Sequence, residues 1–474
     1  VCYHTPHARG VFFLKEETMP NLSLTLDLLP DPLPGIIHLG QKPGDVEFTE
    51  DQTGQKVLKL FLGPANPTLE QLRQAGGHLA NWLVARTEIE NVRLDLGPLQ
   101  GGEAYHAFFE GLLLGSFRFE HYKSKAAARP PMRVQVPPAE GVAEALAHAA
   151  PLCTAQNLAR EWGHEPPNVI NPVTLAARCQ ALASDLGLKC TVLDDQHLES
   201  IGAGALVAVG KASQTPSRLI ILEYPGTNPQ EKPVVLVGKA ITFDTGGYTI
   251  KTRDGMVGMK YDKCGAMAVI GLMQAAVQLH LPTPVVGIIA AAENMIAGNA
   301  YRPNDIITTL SGQTVEIISA DAEGRMVLAD ALTYACRNFQ PRAVIDLATL
   351  TGGVGVALGE VRAGLMSTHD GLAKALFQAG ERTHERLWRL PLDEEYLDLI
   401  KGDDSDFKNS GGAKASAIIG GIFLNQFVTP EIPWAHLDIA SVAFPDKAGP
   451  YRPKGASGFG VRLLVEFLQN DPLP

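Results

Sequence analysis

Apolar and polar residues alternate in two different ways along this chain. Over the later part, β-branched or wholly apolar runs recur at Thr191–Leu193, Arg218–Tyr224, Val234–Gly238, Val285–Ala290, Val315–Ser319 and Ala343–Leu347. Between and beyond them, Pro172–Asp185, Gly265–His280, Arg325–Asn338 and Gly371–Phe377 space their apolar residues as a helix does. Near-continuous apolar strands covered by helices predict a largely parallel sheet buried on both faces. The earlier part is mixed. Gly35–Leu39, Val57–Leu62 and Asn91–Leu96 read as strands, Thr68–Arg86 and Glu103–Phe117 as helices, which predicts a smaller α/β domain.

A stretch rich in Lys, Arg and Pro, Lys123–Pro138, reads as the boundary, because paired prolines stop helices on either side. The Ala-rich Ala139–Glu161 after it predicts one long helix, followed by a loop through WGHEPPNVINPVT. The expected organisation is an α/β fold of two domains. Residues 1–138 are expected to form an N-terminal α/β domain for assembly or regulation, 139–164 a connecting helix and loop, and 165–474 a larger C-terminal domain, the one that would carry the chemistry.

Composition narrows the function. A chain of 474 residues exceeds one ordinary core. Its formal charge of -11 argues against general binding of nucleic acid or anionic membrane. Six cysteines lie scattered without a CxxC pair, as free thiols in a reducing cytoplasm would. No apolar run is long enough to span a bilayer, and VCYHTPHARG lacks the regions of a secretion signal. The reading is a cytoplasmic protein with no membrane partner.

Chemistry gathers in PVVLVGKAITFDTGGYTIK, MVGMKYDKCG and ISADAEGRMVLADAL, which hold Lys239, Asp244, Lys251, Asp262, Asp321, Glu323 and Arg325. Unpaired charges beside apolar runs are costly. A pair of divalent metals is the simplest way to neutralise four converging carboxylates, and such pairs perform hydrolysis. Ligands of parallel sheets bind beyond the carboxyl ends of the strands, and Lys239, Asp321 and Thr349 each follow a run's last apolar residues. In extended chain, Asp321 and Glu323 face one way, with Arg325 after them. The plainer alternative is that Asp321 caps a helix beginning near Arg325. Asp244, in FDTGG, and Asp262, before an apolar helix, taken singly suit turn or cap positions. Lys239 and Lys251 are open to three roles: neutral metal ligand, charged stabiliser of an oxyanion, or structural partner of these same aspartates.

Other patterns fail. His384-Glu385-Arg386-Leu387-Trp388 lacks the second histidine of HExxH, and neither a Walker A loop nor a GxSxG elbow is present.

These motifs carry a family likeness. DAEGR at Asp321–Arg325 resembles the NTDAEGRL signature of the leucyl aminopeptidases, the cytosol aminopeptidase family of metallopeptidases. VGKAITFDTGG from Val237 resembles that family's VGKGITFDSGG. MKYDKCGAM, DLATLTGG from Asp346, HLDIA from His436 and GASGFGVRLL follow in the family's order. The first domain shares GLLLGSFRFEHYKS more faintly.

The resemblance implies two divalent ions per subunit (Zn, Mn or Mg), with Asp244 and Glu323 bridging. Lys239 and Asp262 would complete the tighter site and Asp321 the more exchangeable one. Lys251 would bind the scissile carbonyl. Arg325, helped by backbone near Leu350, would hold a bicarbonate acting as base on a metal-bridging water. The side-chain pocket would comprise Met259, Thr349, Gly352, Ala440 and Ala443, and Asp262 would lie beside the substrate's amine. The family also implies peptide substrates, removal of an N-terminal leucine or other apolar residue, and a homohexamer. Ser319, Ala320, Met326, Ala240 and Thr245 depart from its pattern without replacing a proposed ligand. Three rivals stand beside this reading: a Cys-Gly dipeptidase, an inactive hexamer keeping the fold, and a DNA-binding accessory protein, which the acidic balance disfavours although Lys123–Arg133 is locally basic.

Overall fold

The computed structural model describes residues 24–28, 46–50, 56–60, 66–86, 91–94, 96, 99, 101–124, 132–136 and 138–470. The chain divides into two compact units, residues 1–153 with 448–453, and residues 154–447 with 454–474.

The first unit holds β1 (Leu24–Leu28), β2 (Val46–Glu50), β3 (Lys56–Leu60), α1 (Leu69–Val84), β4 (Asn91–Arg93), α2 (Gly102–Gly115) and β5 (Met132–Val136). Strand β5 lies between β1 and β4, parallel to both, while β2 and β3 form a separate antiparallel pair. Thr68 starts α1 with a capping box to Gln71. Glycines let α1 and α2 approach closely, since a Cβ on Gly76 would come within 2.3 Å of the Phe108 carbonyl oxygen. The expected boundary stretch Lys123–Pro138 therefore contains a central strand. Its signal was the alternation Met132, Val134, Val136, whose two valines are fully buried. The expected strand Gly35–Leu39 lies outside the described residues.

Helix α3 (Val142–His164) begins in the first unit and ends in the second. It starts and ends three residues later than expected and runs through Pro151, so the loop begins after His164.

In the second unit follow α4 (Pro172–Leu186), β6 (Lys189–Leu193), α5 (Asp195–Ile201), α6 (Gly204–Gly210), β7 (Arg218–Tyr224), β8 (Val234–Asp244), α7 (Arg253–Met256), α8 (Cys264–Gln278) and β9 (Val285–Asn294). Then come β10 (Ile306–Thr308), β11 (Thr314–Glu316), α9 (Glu323–Phe339), β12 (Ala343–Ala348), α10 (Gly352–Leu358), β13 (Ala363–Ser367) and α11 (Asp370–Thr383). The unit closes with β14 (Leu387–Arg389), β15 (Phe407–Lys408), α12 (Ser416–Asn425), β16 (Trp434–Asp438) and α13 (Val461–Asn470).

Eight strands form the central sheet in the order β14-β13-β16-β12-β8-β9-β7-β6. The middle four are parallel, and antiparallel pairings enter at β13 with β16 and at β9, β7 and β6. Alternation along β8 puts its two faces to different uses. Val235, Val237 and Ile241 share a core with Val327, Leu328 and Ala331 of α9. On the other face Gly238 lies against α8, where a Cβ would meet the Ala266 backbone at 2.5 Å. Helices thus cover both faces, as the apolar runs of β8, β9 and β12 require.

One expected strand of this sheet belongs elsewhere. Val315–Ser319 contributes only β11, which pairs with β10 and β15 in a separate three-stranded sheet. An apolar run reports burial, not which strand lies beside it. Strands β13, β14 and β16 were not anticipated.

Candidate metal centre

The carboxyl ends of β8 and β12 and the first residues of α8 and α9 converge. Lys239 lies on β8, five residues before its end at Asp244, so it meets the centre from the face that α9 covers. Its Nζ pairs with Asp262 Oδ1 at 2.8 Å and Glu323 Oε1 at 2.9 Å, and donates to the Thr349 carbonyl at 3.0 Å. Lys251 Nζ pairs with Asp244 Oδ2 at 2.8 Å and Asp321 Oδ1 at 2.5 Å. Asp244 Oδ1 accepts from the Gly246 amide at 2.8 Å and from Asn294 Nδ2 at 2.7 Å. That turn needs its glycines, since Gly246 and Gly247 have φ of +85° and +56°.

Two corrections concern DAEGR. Glu323 is the first residue of α9, not part of an extended chain, and Asp321 stands on a turn before it. The pair is therefore not set by strand alternation. Glu323 is buried, whereas the Asp321 side chain is 35% exposed. Nor does Asp321 cap the helix, whose N-cap is Ala322 with no side-chain bond.

Asp244, Asp262 and Glu323 each bring a carboxylate oxygen within 4.8 Å of the others. Two lysine ammoniums face four carboxylates, and the imbalance shows. Burial pushes Asp262 up to about 6, against the pull of Lys239, and burial with the Asp244 charge pushes Glu323 up to about 8. Asp321 is raised by burial, against the hydrogen bond and charge of Lys251. Burial opposes the ammonium of both lysines, but the surrounding carboxylates outweigh it and raise both. Asp262 Oδ2 and Glu323 Oε2 are buried with no hydrogen-bond partner. Buried acceptors left unpaired cost about 1–3 kcal/mol each, and a divalent ion between them would remove that cost. The donor set, hard oxygens and one amine, suits Mn, Mg or Zn.

Arg325, on the first turn of α9, is buried. Its Nη1 donates to the Asn409 carbonyl at 2.9 Å, while Nε has no partner. Burial lowers it to about 10. Among the described residues no carboxylate is in ion-pair contact with this guanidinium, although the charges of Glu323 and Asp438 favour it. The Leu350 amide, expected to share that anion, donates to Asp438 Oδ1 at 3.1 Å.

The expected pocket residues fall on three segments. Thr349 Oγ1 donates to Asp262 Oδ1 at 2.7 Å, binding it directly to the centre. Gly352 opens α10, with nothing within 4 Å of where its Cβ would be. Met259 sits half-buried in a short 3₁₀ turn whose carbonyl accepts from the Asp262 amide. Ala440 donates to Asp438 Oδ1 at 3.3 Å, and Ala443 is buried one turn further on.

Three buried side chains escaped the sequence reading: Asn294, Asn409 and Asp438. Asn294 ends an apolar run just as Asp244 does, and the same rule applied to β9 finds it. Asp438 accepts from Leu350, Thr351 Oγ1 and Ala440 and so organises the pocket segments. It lay inside HLDIA with no role attached. Asn409, in KNSGG, carries no local signal.

Comparison with known proteins decides the lineage. Residues 157–465 match the cytosol aminopeptidase family, catalytic domain, and residues 51–126 its N-terminal domain. The chain belongs to the cytosol aminopeptidase family. It is 47% identical over 377 residues to a probable cytosol aminopeptidase of Syntrophotalea carbinolica, covering 78% of this chain and 76% of that one. A probable cytosol aminopeptidase of Roseiflexus castenholzii is 40% identical over 464 residues, covering 93% and 94%. Among solved structures, the bottromycin maturation enzyme BotP in complex with Mn superimposes with a TM-score of 0.84 at 35% identity, covering 91% of this chain and 94% of BotP. The expected family, α/β architecture and metallo-aminopeptidase class are thereby established, and the substrates are peptides. No helix of the described residues is long and apolar enough to cross a membrane.

Proposed function

We propose that this cytosol aminopeptidase removes N-terminal leucine and other apolar residues from peptides with a pair of divalent ions. The observation that carries this reading is the pair of orphaned buried oxygens, Asp262 Oδ2 and Glu323 Oε2, inside the three-carboxylate cluster. Asp244 and Glu323 would be shared between the ions, Lys239 and Asp262 would complete one site and Asp321 the other. The Mn complex of BotP supports a divalent metal in a chain of this fold. Such ions, when bound, supply hydroxide at neutral pH and polarise a carbonyl.

The chain's own residues do the rest. Lys251, held between Asp244 and Asp321 and partly accessible, offers an ammonium to the oxyanion that develops on the scissile carbonyl. Arg325 holds a bicarbonate through its unpaired Nε, placing a base beside the cleavage point. Asp262, at the buried end, receives the substrate's free amine, which limits cleavage to the first residue. Met259, Thr349, Gly352, Ala440 and Ala443 line the first side chain, with Leu350 beside them. The N-terminal unit serves assembly, the subunits form a homohexamer, and the enzyme works in the cytoplasm, as the naming of its relatives supports.

The test is hydrolysis of a leucine anilide after chelation and again after adding Mn or Zn. Activity should return with metal, vanish in Glu323→Ala and be absent for N-acetyl-leucine substrates. Efficient cleavage of the acetylated substrate, or activity indifferent to chelation, would overturn the reading. Comparing Leu-Gly with Cys-Gly turnover decides between the broad peptidase and a Cys-Gly dipeptidase.

A further inference from the structure

The Asp321 turn has little of its own to hold it. It lies between a three-residue strand and a helix whose N-cap offers no side-chain bond. Locally, the Ser319 hydroxyl accepts the Asp321 amide and the Ser319 carbonyl the Ala322 amide, both at 3.2 Å. Ala320 donates to Thr249 Oγ1 at 2.9 Å, and its carbonyl accepts from Asn294 Nδ2 at 3.0 Å and the Tyr301 hydroxyl at 2.7 Å. Yet this turn must present a carboxylate to Lys251 and lead directly into Glu323.

The anchor of the entry to the turn, at Ile318 and Ser319, comes from 90 residues away. Asn409 follows β15, which runs parallel beside β11, and its own amide continues that ladder to the Glu316 carbonyl at 3.0 Å. Its side chain is completely buried. Oδ1 accepts from the Ile318 amide at 2.8 Å and the Ser319 amide at 3.1 Å, and Nδ2 donates to the Ser319 carbonyl at 2.7 Å. Two amides on one side and a carbonyl on the other admit a single orientation of the carboxamide. Its backbone carbonyl accepts from Arg325 Nη1 at 2.9 Å. One residue therefore ties the entry of the turn bearing Asp321 to the guanidinium of Arg325.

We propose that Asn409 is a positioning residue that sets the affinity of the more exchangeable metal site by fixing the Asp321 turn. Glu323 is independently held by Lys239, and Asp262 by Lys239 and Thr349. The tighter site therefore does not depend on Asn409. Loss of this side chain acts on one of two ions. A residue with only a bulk structural role would weaken both or neither. The inference rests on the two-ion reading above.

Calorimetric titration of Mn into the chelator-stripped full chain separates the possibilities. In Asn409→Ala, one Mn equivalent should weaken by about tenfold or more while the other keeps its affinity, in line with the effect of outer-sphere contacts at metal sites. Asn409→Asp keeps the acceptor for both amides but turns a carboxylate oxygen toward the Ser319 carbonyl, so it should also weaken that equivalent and leave the other unchanged. This variant carries the test should the alanine form not fold. Equal weakening of both equivalents, or unchanged binding with only a lower melting temperature, would overturn the proposal. Failure of the unmutated chain to bind two equivalents would instead overturn the two-ion reading and this inference with it.

Discussion

Gly324 is the residue of DAEGR whose requirement is purely spatial. A Cβ there would stand 2.6 Å from Lys239 Cε and 2.7 Å from its Nζ. A lysine tip can usually move aside, but this one is fastened to Asp262, Glu323 and the Thr349 carbonyl. The position is helical, where alanine is favoured over glycine by about 1 kcal/mol. Displacing that tip strains buried ion pairs by more than the propensity gain, so Gly324→Ala should lower stability and function together. The expected result is a lower melting temperature in the metal-free protein, with Mn affinity and anilide hydrolysis reduced at least about tenfold. Unchanged Mn affinity would show that Lys239 is free to relocate.

At the scale of elements, α6 and α9 illustrate how one helix completes another. Helix α6 begins after Ala203, which offers no capping side chain. Asp330, in the middle of α9, supplies the cap instead. Its Oδ2 accepts from the Leu206 amide at 2.8 Å and its Oδ1 from the Leu310 amide at 2.7 Å. Burial pushes its carboxyl up to about 7 from the usual 3.8, against the pull of these amides. The folded state thus takes up a proton between those two values. Asp330's contribution to stability is complete below pH 4 and declines as pH rises through about 7. Asp330→Asn turns an NH2 toward one amide and should cost about 1–3 kcal/mol. The advantage of the natural residue should shrink between pH 5 and 8, by at most about 1.4 kcal/mol per pH unit. Denaturant unfolding of both proteins at the two pH values measures this, and a gap that widens with pH would refute it. The same element shows what could be read in advance. The apolar face of α9 was plain from its spacing, and the charged residues at its start were plain because charge beside an apolar run demands a reason. The helix start at Glu323 was not legible, since a buried carboxylate at a helical N-terminus and one at a strand end have the same sequence neighbours. Nor was the pairing of β11 with β15, because the partner of a three-residue strand is chosen by tertiary packing.

For the whole molecule, the centre is assembled from segments that only folding brings together. Lys239 to Lys251 comes from the end of β8, Met259 to Cys264 from the start of α8, Ile318 to Met326 from the turn into α9, and Ala348 to Gly352 from the end of β12. An ion held by Asp244, Asp262 and Glu323 binds the folded arrangement of these segments and stabilises it by mass action. At a hundredfold excess over the dissociation constant, that amounts to about 2.7 kcal/mol, or roughly a hundredfold slower exchange of amides that open with the site. Hydrogen exchange of the chelated protein, with and without Mn, should therefore show protection in these four sequence-distant segments together. The described residues of the first unit, including the buried Arg73–Glu110 ion pair, add no carboxylate to this cluster, and their exchange should not change. Protection confined to one segment would mean that the carboxylates bind ions separately at the surface. Protection arising mainly in the first unit would place the metal elsewhere altogether.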